Sequence, residues 1–204
     1  MHKIKSITAA ALIAIAAIGL SAPTASATVI FNVVAGQLTG ARNVNVAGTF
    51  YDVTFVDGTC EALFSGCDAP ADFDFPDIAT ARIAAQALLD QVFIDISPSN
   101  QFDSEPDLTA GCADFSICEV LIPFVRPLPS LFWAFAAENS NPSNITDVVT
   151  SLAFPPTLDF ATDHGATFAR FTRSPPAPIP EPGTWLLFAV GLAILAGYTR
   201  RRWA

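Results

Sequence analysis

The chain has 204 residues, ten basic against nineteen acidic, with a formal net charge of −9 and a pI near 4.4. That length allows one domain with appendages, and the acid excess repels phosphate backbones, which excludes a nucleic-acid partner. A mean hydropathy of +0.45 with 51% apolar residues excludes a disordered acidic chain, and two very apolar ends inflate both figures.

At the N-terminus, Lys3 and Lys5 precede an apolar run from Ile7 to Leu20, and Ala25-Ser26-Ala27 closes a small-residue stretch after Pro23. Charged, apolar and small-residue segments in that order predict a secretory signal peptide over 1–27, removed by signal peptidase before Thr28. The apolar run falls short of the roughly 20 residues a bilayer span requires.

The other end begins with a spacer, 174–182, of alternating prolines, which holds neither a helix nor a central strand. Gly183 to Tyr198 is apolar, and Arg200-Arg201-Arg202 follows. Sixteen helical residues span about 24 Å, so 183–204 is expected to be a short transmembrane helix with its arginines on the cytoplasmic side. Pro180-Glu181-Pro182, the apolar stretch and the arginine cluster resemble the PEP-CTERM sorting signal of Gram-negative bacteria. That resemblance implies a substrate of exosortase, an integral-membrane, protease-like enzyme that recognises the tripeptide and processes the tail. It implies no catalytic role for Glu181. Trp203 and Ala204, trailing the arginines, are a small departure from the family's pattern.

Between the ends lies the candidate exported domain, 28–173. Lys3, Lys5 and the terminal arginines take five of the ten bases, and Glu181 one of the nineteen acids, so this part carries eighteen acids, five bases and no lysine. It also holds sixteen of the seventeen phenylalanines, which predicts an aromatic core. Strands are expected over Val29–Val34, Thr49–Val56, Val120–Val125, Leu131–Ala136, Val148–Phe154 and Ala166–Phe171, with Pro123 marking an edge strand. One amphipathic helix is expected from Ile78 to Phe93, capped by Asp77, with Ile78, Ala81, Ala85, Leu88, Leu89 and Val92 on its buried stripe. The expected fold is therefore mainly β, an antiparallel sandwich-like domain with one helix. Ala47 to Asp68 also resembles a stretch seen in other PEP-CTERM proteins, for which no defined activity follows.

Four cysteines in an exported chain point to disulfides. Three connectivities are open, and short loops favour Cys60–Cys67 and Cys112–Cys118. Neither pair has CxxC spacing, which argues against zinc. The only histidine in the domain, His164, neighbours Asp163, which points the wrong way along a strand to orient it, and no G-x-S-x-G elbow is present. No catalytic constellation is found, and no catalytic cofactor is expected. Calcium is the one candidate metal, with Asp72, Asp74 and Asp77 as first-choice ligands and Asp103, Glu105 and Asp107 as second; the alternative is solvated acidic loops. Asn144-Ile145-Thr146 reads as a polar turn. The expectation is an exported surface or extracellular-matrix protein, structural or adhesive, associated with biofilm exopolysaccharide. The alternative is a secreted carbohydrate-binding module or carbohydrate-active enzyme.

Overall fold

Short runs rich in β-branched and aromatic residues underlie most of the observed strands. A computed structural model describes residues 28–96, 100–114, 116–124, 130–141, 146–162 and 164–175. The expected signal peptide, the spacer beyond Pro175, the apolar tail and most of the Asn144-Ile145-Thr146 turn lie outside these residues. Thr28–Pro175 is one compact unit. In chain order it contains β1 (Ile30–Val34), β2 (Gln37–Val46), β3 (Thr49–Val56), a single helical turn α1 (Cys60–Leu63) and helix α2 (Ile78–Gln91). A two-residue hairpin follows, β4 (Asp95–Ile96) and β5 (Asn100–Gln101). Then come β6 (Ile117–Pro123), β7 (Phe132–Ser140), β8 (Val148–Phe154) and β9 (Ala166–Arg173).

Seven strands form one sheet in the order β1-β2-β3-β9-β6-β7-β8. Every neighbouring pair is antiparallel except β6 and β9, which run parallel. The expected sandwich is corrected to a single mixed sheet covered on both faces. Central strands explain why: β6, β7 and β9 are buried along nearly their whole length, so their apolar residues serve two faces. On one face Val120, Ile122, Ala137, Ala169 and Phe171 meet α2. On the other Leu121, Phe132, Ala136 and Phe168 meet Phe64, Phe73 and Phe160, contributed by connecting segments. Phe168 is fully buried and stands edge-on to Phe64 and Phe160 at centroid distances of 5.5 and 5.1 Å. Rings packed edge-to-face at such distances add stability beyond the area they bury.

Helix α2 starts where Asp77 accepts a hydrogen bond from the Thr80 amide at 2.8 Å. Its buried face holds Ala81, Ala84, Ala85, Ala87, Leu88 and Leu89, and the small alanines let the helix lie close to the sheet. Ile78, expected on this face, is instead 56% exposed, because the packed stripe begins one turn later.

Pro123 does not mark an edge: β6 lies between β9 and β7. Its ladder to β9 ends at Leu121↔Phe168, and the amide of Phe124 donates to Trp133 on β7. Alternation then aims the missing Pro123 donor at the β9 side, past the last paired residue, so no ladder bond is lost. Strand β2 was absent from the sequence reading. Its middle is bulged between Ala41 and Val44, with Asn43 at φ 62°. Gly40 lies against β3 so closely that a Cβ would come within 2.1 Å of the Val53 carbonyl oxygen.

The unit's chain ends share one end of the sheet. The Thr28 carbonyl accepts from Asn43 Nδ2, and Ile30 pairs with Arg42. At the same end Arg173 pairs with Tyr51, and the Ser174 amide donates to Phe50.

Candidate functional site

Three groups of residues carried the functional expectations: the tail, the carboxylates and the cysteines. Pro180, Glu181, Pro182, Arg200, Arg201 and Arg202 lie outside the described residues. The structure does define how the chain is delivered towards them. Ser174 is fixed by its amide on Phe50 and by its hydroxyl, which donates to Asp52 Oδ1 at 2.6 Å. The fold therefore holds the first residue of the proline-rich spacer.

The first-choice calcium ligands are separated by their own partners. Asp72 Oδ2 accepts from the amides of Asp68 and Ala69 at 3.0 and 2.8 Å. The Ala69 and then the Asp68 amide hold its carboxyl below the usual range. Asp77 caps α2, and the Thr80 amide lowers its carboxyl in the same way. Asp74 Oδ2 accepts from the Phe171 amide at 2.8 Å and from Arg170 Nε at 3.2 Å. Arg170 in turn donates to the Leu63 carbonyl and lies 4.5 Å above the Phe64 ring. Strand geometry explains this node. Beyond the end of the β6–β9 ladder, where Pro123 offers no amide, Asp74 takes a β9 donor on the same side. Sequence reasoning missed it because Arg170 lies 96 residues from Asp74.

Asp103, Glu105 and Asp107 are likewise not gathered into one site. Asp103 lies instead near two carboxylates the sequence reading did not single out, Asp95 and Asp147. Asp95 Oδ1 accepts from the amides of Asp103 and Ser104, each at 3.1 Å, and its Oδ2 accepts from the Ser104 hydroxyl. Burial works to raise the Asp95 carboxyl, and the Ser104 and Asp103 donors outweigh it, leaving it below its ordinary range. Asp147 Oδ1 accepts from the Ser140 amide at 2.8 Å. Burial, then the charge and hydrogen bond of Asp147, then the charge of Asp95 push Asp103 up to about 6. Among the described residues no group of three or more His, Cys, Asp or Glu is arranged to hold a metal ion.

The cysteines form two local bridges, Cys60–Cys67 and Cys112–Cys118, with Cα separations of 5.6 and 5.7 Å. No cysteine is free. The first bridge closes α1 and the following turn over the sheet's second face. The second ties the loop before β6 to β6 itself. His164 is exposed in the turn before β9, where its carbonyl accepts from the Ala113 amide at 2.7 Å.

In sequence, the β unit is followed by a proline-rich spacer and an apolar, arginine-ended tail, the pattern of a C-terminal sorting signal. The family model of the PEP-CTERM protein-sorting motif matches residues 178–202, and the chain is a PEP-CTERM sorting-motif protein. That motif marks the chain for the cell surface or extracellular space and for recognition by exosortase. No curated protein and no solved structure matches the chain. Among the described residues, no helix is long and apolar enough to cross a membrane.

Proposed function

We propose that this chain delivers a non-catalytic, structural or adhesive unit to the cell surface or to an exopolysaccharide matrix. The observation that carries this reading is the sorting motif at 178–202, which begins just after the folded unit ends at Pro175. Two disulfides and a core buried on both sheet faces suit a unit that must persist outside the cell. Signal peptidase releases Thr28, the tail holds the chain in the membrane, and exosortase then separates the two. A glycan-binding surface of the alternative kind would offer a row of exposed rings. Among the described residues, the large apolar side chains that are exposed are Ile, Val and Leu.

The test is intact-mass analysis of the protein from cells with and without exosortase, with the extracellular polysaccharide fraction assayed separately. With the enzyme, the mature species starts at Thr28, lacks Gly183–Ala204 and co-purifies with the matrix. Without it, the tail is retained and the protein stays with the membrane. A species retaining Arg200–Arg202 in exosortase-competent cells would refute sorting. A correctly processed species found only free in the medium would refute the matrix role.

A further inference from the structure

We propose that the two edges of the seven-stranded sheet bind each other between copies of this chain: β1 of one copy adds antiparallel to β8 of the next, and the copies form an open row. The inference stands on the fold of the Thr28–Pro175 unit and is independent of where the chain is sorted.

The first observation is where charge is placed. A sheet edge that must stay unpaired is usually blunted by a charged residue or a proline. Here the distribution is reversed. The edges, β1 and β8, read Ile-Phe-Asn-Val-Val and Val-Val-Thr-Ser-Leu-Ala-Phe, with neither a charge nor a proline. Every interior strand does carry charge: Arg42 on β2, Asp52 on β3, Glu119 on β6, Glu138 on β7, Arg170 and Arg173 on β9. Among the described residues, no backbone hydrogen bond reaches the outer side of either edge. Ile30, Val33 and Val34 on β1 and Val148 on β8 are exposed. With eighteen acids against five bases, copies repel each other over most of their surface, and the uncharged edges are where they can approach.

The second observation is that the edges match. Five of the six neighbouring strand pairs are antiparallel, so β1 and β8 run in opposite directions. A copy in the same orientation, shifted sideways, therefore offers its β1 antiparallel to β8. It also keeps its helix-bearing face on the same side, where Phe31 and Val149 both pack. The backbone groups meet as well. The Phe124 amide donates to Trp133, so odd residues of β7 face β6 and even ones face β8. Thr150 and Leu152, opposite Ala136 and Ala134, thus face inward, and Val149 and Ser151 face outward. On β1, Asn32 turns inward, its carbonyl accepting from the Thr39 hydroxyl, so Phe31 and Val33 face outward. Setting Phe31 opposite Ser151 and Val33 opposite Val149 gives four backbone hydrogen bonds between copies. The same register sets Ile30 against Leu152, Asn32 against Thr150 and Val34 against Val148, so apolar meets apolar and polar meets polar. A slip of two residues either way would set Asn32 against Val148 or Leu152. A sideways shift does not close on itself, so it yields a row of copies and not a two-fold pair.

The experiment is disulfide capture with the full chain in mild detergent, carrying both Val34→Cys and Val148→Cys. These side chains are 63% and 40% exposed, so the fold tolerates the change. Within one copy they stand on opposite edges, six strand spacings or about 29 Å apart, and cannot bridge. All four native cysteines are already bridged. Mild oxidation is expected to give a ladder of covalent oligomers, read on a non-reducing gel and lost on reduction. Each single variant is expected to stay monomeric. So is Val34→Cys with Ser151→Cys, because the Ser151 side chain lies on the other face. Adding Ser151→Pro to the first pair removes an outward amide that no strand of its own copy uses, and is expected to abolish the ladder while circular dichroism stays native-like. Absence of a ladder from Val34→Cys with Val148→Cys overturns the proposal. A dimer formed as readily by Val34→Cys alone replaces the row with a two-fold pair and overturns it equally. An equal ladder from the Ser151→Cys pair overturns the register, and a ladder that survives Ser151→Pro overturns strand pairing as its cause.

Discussion

Replacing Asp74 with alanine removes an acceptor that two neighbouring donors of β9 share. Its Oδ2 is the acceptor for the amide of Phe171, a residue only 5% exposed, and for Arg170 Nε. Leaving a buried backbone amide without an acceptor costs about 1–3 kcal/mol. The ion pair itself contributes less, because the Arg170 side chain is 36% exposed and water takes over its solvation; an exposed pair is worth about 0–1 kcal/mol. The expected loss for Asp74→Ala is therefore about 2–3 kcal/mol, most of it from the amide. Asp74→Asn keeps an oxygen for Phe171 and loses the charge, so about 1 kcal/mol is expected. Equilibrium unfolding of the Thr28–Pro175 unit in urea measures both. With an m value of about 1.5 kcal/mol/M, Asp74→Ala lowers the midpoint by roughly 1.5 M and Asp74→Asn by less than 1 M. Equal losses for the two variants would show that charge, and not the stranded amide, carries the effect. A loss for Asp74→Ala below about 0.5 kcal/mol would refute the bridging role altogether.

Three further outcomes are expected. Asp103 is raised to about 6 in the folded protein, so it favours folding below its unfolded value near 3.9, and that contribution is lost as pH rises through 6. Asp103→Asn therefore raises the free energy of unfolding at pH 7 by on the order of 1 kcal/mol after solvent screening and changes little at pH 4; equal effects at the two pH values would contradict the shift. Millimolar calcium and excess chelator, at matched ionic strength, are expected to give the same melting temperature, because Asp72, Asp74 and Asp77 are each engaged elsewhere; a calcium-dependent rise would restore them as ligands. Gly40→Ala places a methyl group within 2.1 Å of the Val53 carbonyl and is expected to split β2 from β3, leaving little soluble folded protein; a native-like circular dichroism spectrum and melting temperature would contradict that packing.

What the sequence conveyed was chiefly local. Helix α2 was readable because cap, composition and apolar spacing agree over 14 consecutive residues. β3 was equally plain from its alternation of Tyr51, Val53 and Phe55 with Asp52 and Thr54, and β8 from its short β-branched run. β2 escaped because a glycine and a left-handed asparagine interrupt its pattern, and only the cross-strand partner explains either. Pro123 misled because its harmlessness depends on where a neighbouring ladder happens to stop. The same limit governs the carboxylates. Asp72 and Asp77 are satisfied within four residues, whereas Asp74 answers to a strand 96 residues away. The sorting motif needed no fold, because it is written in consecutive residues.

The last strand made is the one in the middle. β9 alone joins β3 to β6, so without it the sheet is two separate halves. A chain threaded outward amino-end first has both halves across before the piece that unites them arrives. Until then β3 and β6 present open edges, which are templates for wrong pairing, and the long-range closure that removes them is slow by nature. The sorting motif follows β9 by only a few residues. A chain cut short before β9 therefore brings neither a closed sheet nor the motif.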